Sequence, residues 1–132
     1  MEESAFCRTK ILIGDEGLEK LKNAKVAVFG VGGVGSFVVE ALARAGVGCF
    51  VLIDKDQVSL SNINRQLIAT HKTIGKLKVD VAKERILSIN PEAKVETFAE
   101  FFMPGNTNIL NNSITYIVDA IAVSYTHLTL PT

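Results

Sequence analysis

The stretch Lys25-Val26-Ala27-Val28-Phe29-Gly30-Val31-Gly32-Gly33-Val34-Gly35 decides the fold. A short, β-prone apolar run leads straight into a G-x-G-x-x-G loop, and a helical pattern opens on the last glycine. Gly30 permits the tight turn off the strand, Gly32 lets a phosphate approach the backbone, and Gly35 lets the helix lie close to the sheet. The helix then presents unpaired N–H groups and its positive dipole end to an anion. A second strand, Phe50 to Ile53, stops at Asp54, where a carboxylate can bond ribose hydroxyls. This set predicts nucleotide binding. It serves NAD and ATP alike and does not choose between them.

Outward from the loop, strands and helices alternate. Asp15 to Asn23 reads as a short helix, with Leu18 and Leu21 on one side. After the glycines, Val34, Phe37, Val38, Ala41, Leu42 and Ala45 step by three and four along one helical face, with Glu40 and Arg44 spaced for an ion pair on the other. Gly46 ends that helix. Gly75 introduces another, with Val79, Ala82, Ile86 and Ile89 inward and Asn90-Pro91 as the stop. Lys94 to Ala99 is a weaker strand, Pro104 to Asn112 admits a short helix, and Tyr116 to Val118 is a strand ending at Asp119. The pattern predicts an α/β, Rossmann-like, doubly wound parallel sheet, truncated after about four strands.

The chain has 132 residues, room for one domain, and is 48% hydrophobic, as parallel strands covered on both faces require. Lys plus Arg and Asp plus Glu are both 14, so bulk charge does not give it a grip on nucleic acid. Cys7 and Cys49 form no spaced pair, which removes a disulfide framework or a Cys-based metal site; Cys49 is expected to be a small buried side chain. No signal peptide or membrane span is visible, and the cytoplasm is the expected location.

The choice of nucleotide falls to the residues after Asp54. The loop from Lys55 to Gln66 contains Arg65, and Lys78 sits on the first turn of the next helix. Nicotinamide chemistry has little use for cations near the phosphates, whereas attack on an α-phosphorus spreads negative charge that fixed cations stabilise. Arg65 could clamp oxygens bidentately and Lys78 offers a point charge. Spacing alone equally allows two ordinary surface cations.

Gly30 to Gly35, Leu52-Ile53-Asp54, Ser61-Asn62 through Asn64-Arg65-Gln66, and Gly75 to Lys78 together resemble the superfamily of ubiquitin-activating-type (ThiF/MoeB-like) adenylating enzymes. The resemblance runs from about Arg8 to Ile121. Arg8-Thr9 with Leu12-Ile13-Gly14, the run Glu40 to Gly48 and Asn64-Arg65-Gln66 look most like the tRNA threonylcarbamoyladenosine dehydratases within it; the enzymes that adenylate sulfur-carrier proteins share most of these motifs. The resemblance implies that Gly30, Gly32, Gly33 and Gly35 cradle the phosphates of ATP, with Mg2+ as its companion. It further implies that Asp54 bonds the ribose, that Asn62, Arg65 and Lys78 contact the phosphates, and that Arg8 reaches into the partner's site of a homodimer. The expected partners are tRNA, held through a C-terminal half absent from this chain, or, in the alternative, a ubiquitin-like sulfur carrier; no membrane is expected. An NAD-dependent oxidoreductase and an inactive nucleotide-binding module stay open beside these readings.

After Asp119-Ala120-Ile121 the superfamily pattern calls for a second, magnesium-associated aspartate, and this chain has Ala122. Residues 123–132 match nothing in the pattern. Ala-Val-Ser-Tyr-Thr-His can be encoded as GCT GTC TCT TAT ACA CAT, which contains CTGTCTCTTATACACAT, the transposon end used in preparing sequencing libraries. The G that precedes this element would be the last native base and would begin the codon of the missing aspartate. Residues 1–122 are therefore expected to be the N-terminal part of an adenylating-enzyme domain and 123–132 a non-native tail, the alternative being a genuine β-prone segment. A chain ending there is expected to lack adenylation activity. Reading the genomic locus past codon 121 tests this: an aspartate codon followed by different sequence is expected, and an authentic run from Val123 to Thr132 would refute it.

Overall fold

Parallel strands that are apolar on both faces must be covered on both, and that need organises the molecule. The computed structural model describes residues 4–100 and 113–121. Along the chain these are helix α1 (Cys7–Asn23), strand β1 (Lys25–Phe29), helix α2 (Gly33–Ala45), strand β2 (Cys49–Ile53), a 3-10 turn (Leu60–Asn62), helix α3 (Lys78–Ile89), and strands β3 (Lys94–Phe98) and β4 (Tyr116–Asp119). The sheet order is β3-β2-β1-β4, and every pairing is parallel. Successive strands run outward from β1 to β3, then β4 returns to the other side of β1. The order therefore reverses at β1, and crevices for ligands form beyond the carboxyl ends of strands at such a switch.

Val26, Val28, Phe50 and Leu52 turn one sheet face toward Val39 and Ala43 of α2 and Val79, Ala82 and Ile86 of α3. Ala27, Phe29, Val51 and Ile53 form the opposite cluster, joined by Phe98 and Ile114. Both alternating sets are buried, which is why β1 and β2 read as continuous apolar runs.

The expected inward face of α2 is corrected. Its buried residues are Gly35, Ser36, Val39 and Ala43, while Val34 and Phe37 are 69% and 57% exposed. The reason is distance. A Cβ on Gly35 would lie 1.8 Å from the Gly30 carbonyl oxygen, so the helix approaches the end of β1 along its smallest residues. Larger apolar side chains on the neighbouring stripe are left outside.

Two boundaries also move. The first helix begins at Cys7, not Asp15, and is broken at Gly14, whose φ of 74° favours glycine. The added half exposes Ile11 and Leu12 at 68% and 85%, so it carries no core-facing pattern by which sequence could reveal it. Strand β2 starts one residue early, at a half-buried Cys49. Helix α3 starts at Lys78, three residues after Gly75, and its Val79, Ala82 and Ile86 are buried as the spacing requires. The short helix expected within 104–112 lies outside the described residues. Among the described residues no helix is long and apolar enough to cross a membrane.

Glu40 forms the expected pair with Arg44 at 2.6 Å and does more. Arg85 of α3 donates to it twice, Nε at 2.7 Å and a terminal nitrogen at 2.9 Å, which fastens α2 to α3. The hydrogen bonds from Arg85 first, and from Arg44, outweigh partial burial and lower the Glu40 carboxyl from 4.5 to about 2. A depressed carboxyl stabilises the fold fully above its unfolded value and loses that contribution as pH falls through the folded one. Because both guanidiniums are about half exposed, solvent screening limits the effect, and Glu40→Gln should lower unfolding free energy by about 1 kcal/mol at pH 7. Urea unfolding of the two proteins should converge between pH 4.5 and about 2. An offset that does not change with pH would contradict the clamp.

Candidate nucleotide-binding site

A cleft of about 440 Å³ opens at the switch point, beyond the carboxyl ends of β1, β2 and β4. Gly30, Gly32 and Gly33 form its floor, with Asp54, Arg65, Gln66, Lys78 and Asp119 around it. That volume is in the range of small-molecule sites.

Gly30 leaves the strand at φ 90°, and a Cβ there would meet the Ala120 carbonyl oxygen at 2.7 Å. Gly33 has nothing within 4 Å of the position its Cβ would occupy, so the start of α2 is open to a ligand. Ser36 N–H bonds back to the Gly32 carbonyl at 3.0 Å, and the N–H groups of the turn before it have no acceptor inside the helix. An anion fits such a helix end on charge and hydrogen bonding together.

Asp54 is at the mouth, but its carboxylate already holds the loop. Oδ2 accepts the Val31 N–H and Oδ1 the Asp56 N–H, both at 2.8 Å. The carboxylate thus ties the end of β2 to the glycine turn off β1. Each oxygen keeps a lone pair for a ligand hydroxyl.

The cations differ in setting. Lys78 is only 7% exposed, and its ammonium has no hydrogen-bond or ion-pair partner among the described residues. Its stem is buried while the ammonium keeps access to the cleft, where an anion can pair with it. Arg65 is exposed; one terminal nitrogen donates to the Ser61 carbonyl at 2.8 Å and to Asn64 Oδ1 at 3.2 Å, leaving other N–H groups for a ligand.

Three expected residues do not line the cleft: Gly35, which packs on the Gly30 carbonyl behind the glycine floor, Asn62 and Arg8. Asn62 is 6% exposed and organises the polar loop: its Oδ1 accepts the Ser59 N–H at 2.8 Å, and its carbonyl accepts the N–H of Arg65 and Gln66. Arg8 is exposed on α1, away from its own chain's cleft. Sequence reasoning places Gln66 in the Asn64-Arg65-Gln66 motif but assigns it no role. Its amide is buried against Gly32, and its Oε1 has no partner among the described residues, leaving an acceptor beside the glycine floor for a ligand or water. Nothing in composition marks it; the turn after Asn62, whose carbonyl accepts both N–H groups, leaves Gln66 buried and Arg65 exposed. Among the described residues no three acidic, His or Cys side chains gather as a metal site.

A model of the ThiF family matches residues 6–127. The chain belongs to the ThiF family. It is 50% identical over 124 residues to the tRNA threonylcarbamoyladenosine dehydratase of Bacillus subtilis, a match covering 87% of this chain and 46% of that protein. Against the crystal structure of the Escherichia coli dehydratase in complex with ATP the TM-score is 0.87 at 40% identity, covering 90% of this chain and 49% of that one. A sulfur carrier protein adenylyltransferase of Thermus thermophilus is 36% identical over 108 residues, 82% of this chain and 40% of that protein. The chain thus spans less than half the length of these ThiF relatives.

The double role of Asp54 has a measurable consequence without any nucleotide. Asp54→Ala leaves two backbone N–H groups unpaired and should cost about 1–3 kcal/mol in urea unfolding of the ligand-free chain. An unchanged midpoint would mean that the carboxylate serves ligand alone.

Proposed function

We propose that this chain is the ATP-binding part of an enzyme that adenylates a substrate carboxylate, most specifically the one that dehydrates threonylcarbamoyladenosine in tRNA to its cyclic form. The observation that carries the reading is the pairing of a buried, unpartnered Lys78 with Arg65 across one glycine-floored cleft. A dinucleotide-dependent oxidoreductase needs the loop and Asp54 but leaves both cations without a task. The 50% identity to a protein named for the dehydration supports that substrate, and the 36% identity to a sulfur carrier adenylyltransferase keeps a carrier's C-terminus as the second reading.

In this mechanism the first turn of α2 and the glycine floor hold phosphate oxygens, and Asp54 receives the ribose hydroxyls. The substrate carboxylate is already ionised at neutral pH, so no general base is required for its attack. Its oxygen bonds the α-phosphorus as the bond to the bridging oxygen of pyrophosphate breaks. Arg65 and Lys78 stabilise the charge that builds on the phosphoryl oxygens. Attack on the acyl-adenylate from within the threonylcarbamoyl group then closes the ring and expels AMP, for a net loss of water. Gln66 Oε1 is free to accept from a ligand donor or an ordered water. Mg2+ would offset phosphate charge, with Asp54 and Asp119 as the carboxylates at hand. Arg8, outside its own cleft, fits a role across a homodimer. We further propose that residues 1–122 are the N-terminal part of this domain, that 123–132 is non-native, and that the enzyme works in the cytoplasm.

Pyrophosphate exchange by the protein at the length of its relatives tests the reading. Arg65→Ala and Lys78→Met should each slow it by about 10²- to 10³-fold. Unchanged exchange in both would sink it. Pyrophosphate release on adding threonylcarbamoyl-modified tRNA, and none on adding a carrier protein, is expected; the reverse would select the second reading.

A further inference from the structure

The chain has no net charge, but the charge is not evenly spread. Between Gln57 and Val79 there is no Asp or Glu, while Arg65, Lys72, Lys76 and Lys78 fall there with His71. This segment wraps the carboxyl ends of the strands. Val58 N–H donates to the Lys76 carbonyl and Gly75 N–H to the Val58 carbonyl, both at 2.8 Å, and Gln57 bridges to Leu77. Its far side touches α2, where Leu67 N–H donates to Ser36 Oγ at 3.2 Å.

Within it the cations grade from outside to inside. His71, Lys72 and Lys76 are exposed, Arg65 is exposed at the lip, and Lys78 is buried in the cleft. Arg65, Lys72, Lys76 and Lys78 make no ion pair among the described residues, as is also true of Arg8, Lys22, Lys83 and Lys94; what sets the segment apart is the absence of any acid within it. The acids bracketing the segment are Asp56 and Asp80, both exposed and without an ion pair among the described residues. The turn that carries His71 and Lys72 is held in shape: Thr73 Oγ1 accepts the Thr70 N–H at 2.9 Å and donates to the Ile68 carbonyl at 2.8 Å.

We infer that this turn, through Lys72 and Lys76 with His71 beside them, is a docking rim for the phosphate backbone of RNA flanking the nucleotide that reacts in the cleft. The inference rests on the proposed function for its substrate and adds the surface that receives it. Phosphate contacts position a nucleic acid without reading its sequence, and unpaired cations on an ordered turn supply them with little loss of freedom. A nucleoside can reach Arg65 and Lys78 only if its neighbouring phosphates lie outside the cleft; Lys72 and Lys76 of the same segment are exposed and outside the cleft lining. Zero bulk charge is compatible with this, because the excess is local.

The test uses the 132-residue chain and a transcribed tRNA, with binding followed by fluorescence anisotropy across a salt series and ATP affinity measured in parallel. Lys72→Glu/Lys76→Glu should weaken tRNA binding about tenfold or more and flatten the slope of log affinity against log salt by roughly 2, with ATP affinity unchanged. Lys22→Glu/Lys94→Glu makes the same change of charge at the amino end of the sheet and should alter neither. Equal losses in the two double variants, no loss in either, or no tRNA binding by the wild-type chain would overturn the rim while ATP binding left the nucleotide site standing. Loss of an acidic carrier protein with tRNA binding retained would assign the surface to the other substrate and overturn it as well. A wild-type chain that binds no ATP would instead strike the proposed function itself.

Discussion

The contact between Gly35 and the carbonyl of Gly30 sets the rest of the site. No side chain fits there, so α2 can start directly over the end of β1, with its first N–H groups facing the crevice where the strand order reverses. Asp54 holds that turn from the next strand by accepting the Val31 N–H, and Gln66 presses on Gly32 from the loop beyond. Three separate parts of the chain thus converge on a few backbone atoms. Enlarging either glycine would shift the helix end and with it the anion site, whatever the remaining residues were.

That constraint divides the labour among the polar residues. Asn62, which shapes the loop, has its side-chain oxygen satisfied by the Ser59 N–H. The buried side-chain atom left without a partner among the described residues, Gln66 Oε1, lies at the cleft, and so does Lys78, whose ammonium makes no ion pair there. Folding accepts such deficits where binding repairs them, and ATP offers the acceptors that Lys78 lacks.

Much of this is legible in the sequence, and the misses share a cause. The glycine spacing, the strand ends at Asp54 and Asp119 and the buried stripe of α3 all record local backbone rules that sequence states directly. The outward placing of Val34 and Phe37 does not, because it comes from how near α2 approaches β1, a tertiary distance that overrides hydrophobic periodicity. The first half of α1 packs no apolar stripe and so leaves no pattern. Asp54 reads as a ligand group, and its two backbone partners are visible only once strands β1 and β2 are side by side. Likewise, equal totals of acid and base conceal the acid-free segment that edges the cleft.

A cleft built for a triphosphate, and not merely for a nucleotide, must distinguish ATP from its shorter and its dinucleotide kin. Calorimetric titration of the chain with ATP, AMP and NAD under one set of conditions measures that distinction. ATP should bind at least tenfold more tightly than AMP, about 1.4 kcal/mol in favour of the added phosphates, and NAD should not compete. Equal affinity for ATP and AMP, or a preference for NAD, would contradict a triphosphate site.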